Sequence, residues 1–345
     1  MRTYKLSCEI LSPIHIGAGH ELSPLDYIIK DSVLHKISFE KFVLSMDDNQ
    51  RAMFEKLIEK GNLVDIRKYV SDHFKGDTDM LYSVKVSPQV GKLYSTKLED
   101  IQNQLIINPF IRTQGEVAPL IPGSSLKGAI RTAVVSEQAK RDRPPKPTTP
   151  REEYEFEARV LLNKDAKDDP FRAIKVRDVL MQNAQFVVRE IKNMSRAKQG
   201  RVLKANSIQM ICEVSGSRMT GQPIAFETGF LIDDALISTH FLSKALSVNE
   251  IIHACKVFYR DKMEKEHKKF YADTEAQVIS RQILDMPLDD NSFFLRVGRF
   301  SGVESVTIDE YRNPRPPQGK GWGDTRNLAE GLYPMGWIKA TLVNP

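Results

Sequence analysis

The chain reads as an α+β protein with antiparallel sheets, on three observations. Strand-like and helix-like segments alternate without the regular βαβ spacing of a parallel sheet. Apolar residues make up 41% and charged residues 28% of the 345 positions, the balance of a packed globular protein. Glycine-bearing loops follow strand-like segments near both ends, as a duplicated unit would show. The length suits two ordinary domains.

The first strand is YKLSCEILS, stopped by Pro13 and followed by the loop IHIGAGHELSP. LDYIIK and VLHKI, separated by the turn residues Asp31 and Ser32, form a hairpin. Ser38 is placed to cap a helix from Phe39 to about Lys60, with an interrupted apolar stripe that includes Phe42, Met46, Phe54 and Leu57. Gly61 ends it, and a short helix reaches Phe74. Residues 76–122 mix strand and turn signals.

Pro122-Gly123-Ser124-Ser125 launches a helix to about Lys140. The prolines of 141–151 make a loop, and a charged helix covers 152–166. Strand-like FRAIKVRDVL, FVVREI, IQMICEVS and IAFETGFLI follow. Ser247 caps a long helix over Val248–Tyr271, whose polar end EKEHKK is expected to be solvated. A further helix covers roughly 274–285. FFLRVG and GWIKATLV are the closing strands, with PRPPQGKGWGDTR between them.

Several function classes are excluded at this level. No run approaches the roughly 18 apolar residues of a membrane span. MRTYKLSCEILSP lacks the apolar core and cleavage site of a secretory leader. Cys8, Cys212 and Cys255 are scattered, which fits a reducing cytoplasm, and the seven histidines lack metal-ligand spacing. No metal or cofactor is expected.

The net charge is only +5, but its distribution is uneven. Phe171–Ser217 holds nine Lys and Arg (among them Lys192 and Arg196) against Asp178, Glu190 and Glu213. A local basic stripe on a near-neutral background is the footprint of a polyanion groove, although a solvated hairpin has the same composition. The loop from Lys192 to Lys204 has no aromatic residue, which suits backbone contact.

The helix start is the sharpest clue. Lys127 lies near the positive end of the helix dipole and Arg131 one turn on, with Ser124 and Ser125 at the tip. Cations placed there are unfavourable unless an anion joins them, so these groups form a candidate phosphate cradle; alternatively the serines only cap the helix. In HIGAGH, Gly17 and Gly19 allow close backbone approach to a ligand. His15 and His20 are candidates for acid–base chemistry on RNA, against a structural role. Near the end of the chain Arg299, Lys320, Gly321, Trp322, Gly323 and Arg326 combine glycine, cations and an aromatic ring, a set that can hold phosphate and stack on a base.

Three segments, SPIHIGAG, IPGSSLKGAIR and GKGWGDTR, together resemble the landmarks of the RAMP superfamily of CRISPR proteins, in order and across nearly the whole chain. Within it, SPIHIGAGHELSPLDYII, VGRFSGVES and YPMGWIKATLV are most similar to the fifth-subunit family of the type III-A (Csm) effector. The resemblance implies two ferredoxin-like (RRM-like) units, divided here as 1–217, with a helical insertion over about 38–110, and 218–345. It implies a non-catalytic subunit that caps the 3′ end of the guide RNA (crRNA) and supports its maturation and complex assembly. The implied partners are the guide RNA and other subunits of the complex, especially the backbone RAMP and small helical subunits, together with host nucleases. His15, Gly17, Gly19, Ser124, Ser125, Lys127 and Arg131 would contact the RNA backbone, with Gly321 and Gly323 in support. Asp26 sits broadly where the backbone subunit carries a target-cleaving aspartate. Here about a hundred residues separate the two landmarks, which favours capping over metal-dependent cleavage at Asp26. An endonuclease using His15, His20 or Asp26, and a pure assembly subunit, are the alternative readings.

Overall fold

The computed structural model describes residues 1–100, 105–113, 118–196, 203–205, 209–238, 242, 244–308, 311 and 325–344. Strand β1 (Arg2–Ile10) alternates inward Leu6, Cys8 and Ile10 with half-exposed neighbours. The hairpin is β2 (Tyr27–Lys30) and β3 (Val33–Ile37). Asp31 and Ser32 both take left-handed backbone, φ 50° and 61°, as a two-residue turn between right-twisted strands requires.

The expected helix from 39 to 60 is two helices. Ser38 caps α1 (Phe39–Leu44), the chain leaves the helix at Ser45, and an Asp47–Gln50 capping box starts α2 (Asp48–Lys60). A reciprocal cap satisfies free N–H groups that a continuous helix would not have, so it marks a new start. Gly61 closes α2 in the left-handed region before α3 (Leu63–His73). These helices share a cluster of Phe42, Phe54, Tyr69 and Val70 with Ile28 and Ile37 of the hairpin.

The chain continues through β4 (Met80–Val86), α4 (Pro88–Lys97), β5 (Ile107–Asn108) and β6 (Leu120–Ile121) to α5 (Gly123–Asp142) and α6 (Pro150–Val160). The proline-rich loop is shorter than expected, because α5 runs on to Asp142 and Thr149 caps α6. Next come β7 (Ile174–Val176), β8 (Val179–Leu180), β9 (Phe186–Arg196), β10 (Leu203–Ala205), β11 (Ile211–Ser215) and β12 (Ile224–Ile232). Then follow α7 (Asp234–Ser238), α8 (Val248–Glu266), α9 (Gln277–Leu284), β13 (Ser292–Arg296), α10 (Val303–Val306), β14 (Thr325–Ala329), β15 (Tyr333–Pro334) and β16 (Trp337–Val343).

One sheet has the order β13-β16-β1-β12-β7; a second follows β15-β14-β9-β4-β3-β2, with β10 and β11 on β9 and β5 on β11; and β6 pairs with β8 in a small third sheet. Pairing is antiparallel except for β4–β9 and β5–β11, which run parallel. The α+β class with mainly antiparallel sheets is as expected. Each of the two larger sheets draws strands from both sides of residue 217, the expected boundary: β1 pairs with β12 and β16, and β9 with β14. Helices α5 and α8 pack on each other and on the first sheet. Tyr259 ties them by donating to the Ala129 carbonyl at 2.9 Å, and Trp337 is fully buried beside Tyr259 and Phe294.

The end of α8 corrects the expectation of a solvated EKEHKK. The helix closes at Glu266 into a wide turn over His267–Tyr271, and Glu266 and His267 are buried. The Glu266 carboxylate accepts from Arg296 and from the Tyr271 hydroxyl, and Arg326 lies 3.3 Å away. A buried carboxylate persists only when such partners replace its water.

Candidate nucleic-acid interface

The first loop is held along its whole length. The N–H groups of Leu11 and Ser12 both donate to the Trp337 carbonyl, and Gly336 N–H donates to that of Pro13 at 2.8 Å. Arg299 N–H donates to the His15 carbonyl at 2.9 Å, and Ile111 N–H to that of Ile16 at 2.8 Å. The HIGAG loop, the VGRFSG loop and the turn before β16 therefore meet in one place. Close approach makes two glycines obligatory. A Cβ on Gly298 (φ 91°) would stand 2.4 Å from the His15 carbonyl oxygen, and one on Gly336 (φ 91°) 2.5 Å from that of Val297. Gly17 and Gly19 are exposed at the outer edge.

Under this edge lies a buried polar knot. The His15 Nδ1 lies 2.8 Å from the Glu213 carbonyl; because a carbonyl only accepts, Nδ1 carries the proton, and in the neutral ring Nε2 is unprotonated. That nitrogen is buried and without a hydrogen-bond partner among the described residues. The ring stacks on Phe300 at 5.7 Å. Burial pushes the imidazole down to about 4; the bond to Glu213 opposes this and the charge on Arg299 adds to it. His15 is thus a neutral structural residue at neutral pH, unsuited to donating a proton to a substrate. The Glu213 carboxylate accepts from Phe110 N–H at 2.9 Å and from Arg112 Nη1 at 2.8 Å, and the Arg112 guanidinium lies 3.9 Å over the Tyr82 ring.

The start of α5 is connected to the first loop by backbone pairing. Ile111 bonds Ile16, and Leu120 N–H donates to the Ile111 carbonyl at 2.9 Å, three residues before the helix begins. Two strand spacings put the loop and the helix approach on the order of 10 Å apart. The tip itself does not follow the alternative reading of a serine cap. Gly123 N–H donates to the Asp178 carboxylate at 2.7 Å, and neither serine caps the helix. Ser124 is exposed and Ser125 half-buried. Arg131 is engaged by Glu157 at 2.7 Å and by both oxygens of Asp169 at 2.8 and 3.0 Å. Lys127 is half-buried, and no ion pair to it is found among the described residues. Burial lowers its ammonium pKa; Asp169 opposes the shift, and the cations of Arg131 and Lys175 add to it.

The remaining candidates separate by what already neutralises them. Arg299 is exposed, donates to the neutral amide of Asn108 at 2.8 Å and overlies Phe300. Lys192 sits 3.5 Å from Glu190. Arg326, expected to face a ligand, is instead only 6% exposed, between Glu266 and Glu304, because its strand pairs with β9 and turns it inward. Arg196 ends β9. Lys320, Gly321, Trp322 and Gly323 lie outside the described residues, as do Lys198 and Arg201 of the basic loop. His20 is exposed. Asp26 closes its own turn, accepting from Ser23 N–H and Oγ at 2.8 Å each and from Lys36 at 3.1 Å. Burial alone would raise its pKa, but these bonds outweigh it and hold the carboxyl below the ordinary value. Among the described residues no cluster of His, Cys, Asp and Glu is arranged to hold a metal ion, and no helix is long and apolar enough to cross a membrane.

Comparison with known proteins follows the same line. The family model described as the RAMP superfamily matches residues 7–298. The protein named CRISPR system Cms protein Csm5 from Methanocaldococcus jannaschii is 30% identical over 198 residues, 53% of this chain and 44% of that protein. Its namesake from Streptococcus thermophilus is 31% identical over 144 residues, 39% of this chain and 38% of that protein. The matches span less than half the length of these curated relatives. A chain of the Csm–crRNA–target RNA ternary complex of a type III-A CRISPR-Cas system, solved by cryo-electron microscopy, superposes with a TM-score of 0.72 at 20% identity, covering 98% of this chain and all of that one. The crystal structure of T. onnurineus Csm5 gives 0.63 at 20% identity over the same shares. At this identity the likeness is one of fold.

Proposed function

This chain belongs to the RAMP superfamily, and on that premise we propose that it is a non-catalytic, guide-RNA-binding subunit of a type III-A CRISPR ribonucleoprotein. It caps the 3′ end of the guide and supports guide maturation and assembly, with the backbone RAMP and small helical subunits as neighbours. The observation that carries this reading is the meeting of the HIGAG and VGRFSG loops, which sets exposed Gly17 and Gly19 beside Arg299, whose described side-chain hydrogen bond goes to a neutral amide. Glycine backbone and an unneutralised guanidinium are the groups that hold a phosphodiester without reading its sequence. Lys127 extends the path toward α5. A binding role is favoured over cutting because His15 is buried and neutral and Asp26 is occupied by Ser23 and Lys36.

Filter binding of single-stranded RNA to the purified chain across a salt series tests the grip. Two or three phosphate contacts give a log–log slope of about −1.4 to −2.1; a flat response contradicts it. Nuclease footprinting of the assembled particle tests the position: protection of the guide 3′ end should vanish when this subunit is left out.

A further inference from the structure

The segment Met181–Gln185, between β8 and β9, has a cleft on each side. One cleft, of 530 Å³, separates it from Tyr82–Lys85 of β4; the other, of 610 Å³, separates it from Gly221–Phe226. Met181, Gln182, Ala184 and Gln185 line both. Apolar side chains line the base of each, with Met181 and Phe186 in the first and Met181, Ile224 and Phe226 in the second, all buried. The rims are amides: Gln182, Asn183 and Gln185 are exposed, and Gln222, which lines the second cleft, has a buried Oε1 without a hydrogen-bond partner among the described residues. No carboxylate is among the described residues lining either cleft. The cations there are Lys85 and Arg112, and Arg112 is already held by Glu213.

Such a lining suits a flat, uncharged ring with a polar edge. The floor takes the face of the ring, and side-chain amides, each donor and acceptor at once, meet its edge. A phosphate finds few partners there. We propose that the two clefts seat unpaired nucleobases of an RNA strand whose phosphates lie on the glycine loops, an inference that rests on the RNA-binding reading above. Backbone pairing supplies the continuity. Met181 N–H donates to the Pro119 carbonyl at 2.8 Å, Leu120 bonds Ile111, and Ile111 bonds Ile16. The clefts therefore lie about three strand spacings, on the order of 15 Å, from the first loop, within the span of a short single strand.

The test compares a short single-stranded RNA with the same strand carrying abasic riboses, on the full chain at fixed salt. The intact strand should bind about tenfold more tightly. Gln182→Ala/Gln185→Ala, at exposed positions that leave the fold intact, and Ala184→Trp, which puts a bulky ring at a residue lining both clefts, should each remove that difference while leaving the abasic strand and the salt slope unchanged. Equal binding of intact and abasic strands overturns the inference and leaves the phosphate grip standing. Absence of any salt-dependent binding overturns both.

Discussion

Glu213 and Arg112 face each other across the interior, joined by paired hydrogen bonds between guanidinium and carboxylate. The side chains are 2% and 11% exposed, so the carboxylate has no water to fall back on and the guanidinium has little. The same glutamate holds the Phe110 N–H with its side chain and the His15 ring with its backbone. One residue on β11 thus sets the position of the first glycine loop and of the strip leading to α5. Loss of either partner leaves a buried charge uncompensated.

Glu213→Ala should therefore lower the unfolding free energy by about 3–5 kcal/mol, read from urea titration of the purified chain. In a double-mutant cycle with Arg112→Ala the two losses should fail to add by at least about 1 kcal/mol. Additive losses would show that the pair does not act as a unit.

Gly298→Ala and Gly19→Ala separate close packing from backbone preference. Both residues have positive φ, 91° and 82°, but a Cβ on Gly19 meets open space whereas one on Gly298 collides with the His15 carbonyl. Gly19→Ala should cost about 1–2 kcal/mol. Gly298→Ala should cost more and lower the melting temperature visibly further. Equal losses would mean that the junction of the two loops yields easily.

Acid should loosen the same junction. His15 is held near 4 in the folded chain against an ordinary 6.5, so the unfolded chain binds more protons between these values. The stability due to the neutral ring is complete above about pH 6.5 and falls away as pH drops toward 4, by about 3 kcal/mol in all. Unfolding titrations at a series of pH values should show this slope, and His15→Gln should flatten it. An unchanged slope in the variant would place the titrating group elsewhere.

Cations that look alike in composition should behave differently in binding. Arg299→Ala and Lys127→Ala should each weaken RNA binding and reduce the steepness of the salt dependence by about 0.7. Arg131→Ala should mainly cost stability, about 1–2 kcal/mol, since Glu157 and Asp169 already neutralise it. A larger affinity loss for Arg131→Ala than for Arg299→Ala would reverse this assignment.

Local signals in the sequence were enough for some elements and silent on others. The alternation in β1, the Asp31–Ser32 turn and the Ser247 cap depend on near neighbours, and each stands where local chemistry puts it. The break at Ser45–Asp47 was also local, but the apolar stripe running through it hid the second cap. Glu213 and Glu266 were illegible for another reason. Each is buried by partners distant in the chain, Arg112 for one, Arg296 and Arg326 for the other. In β11 every residue is buried, so no polar-out alternation flagged the glutamate. The candidate cations could be counted but not sorted, because whether a carboxylate neutralises one is decided by tertiary packing.

The topology of the first sheet has a consequence for biosynthesis. Cys8 is flanked by Phe226 on one side and Ala340 on the other, so β1 emerges from the ribosome long before its neighbours exist. At about 5–20 residues per second, β16 follows tens of seconds later. Until β12 appears both edges of β1 are open, and until β16 appears one still is, the condition under which nascent chains stick to one another. Slowing translation ahead of the last strand should therefore lower the yield of folded protein, and chaperone supply should restore it.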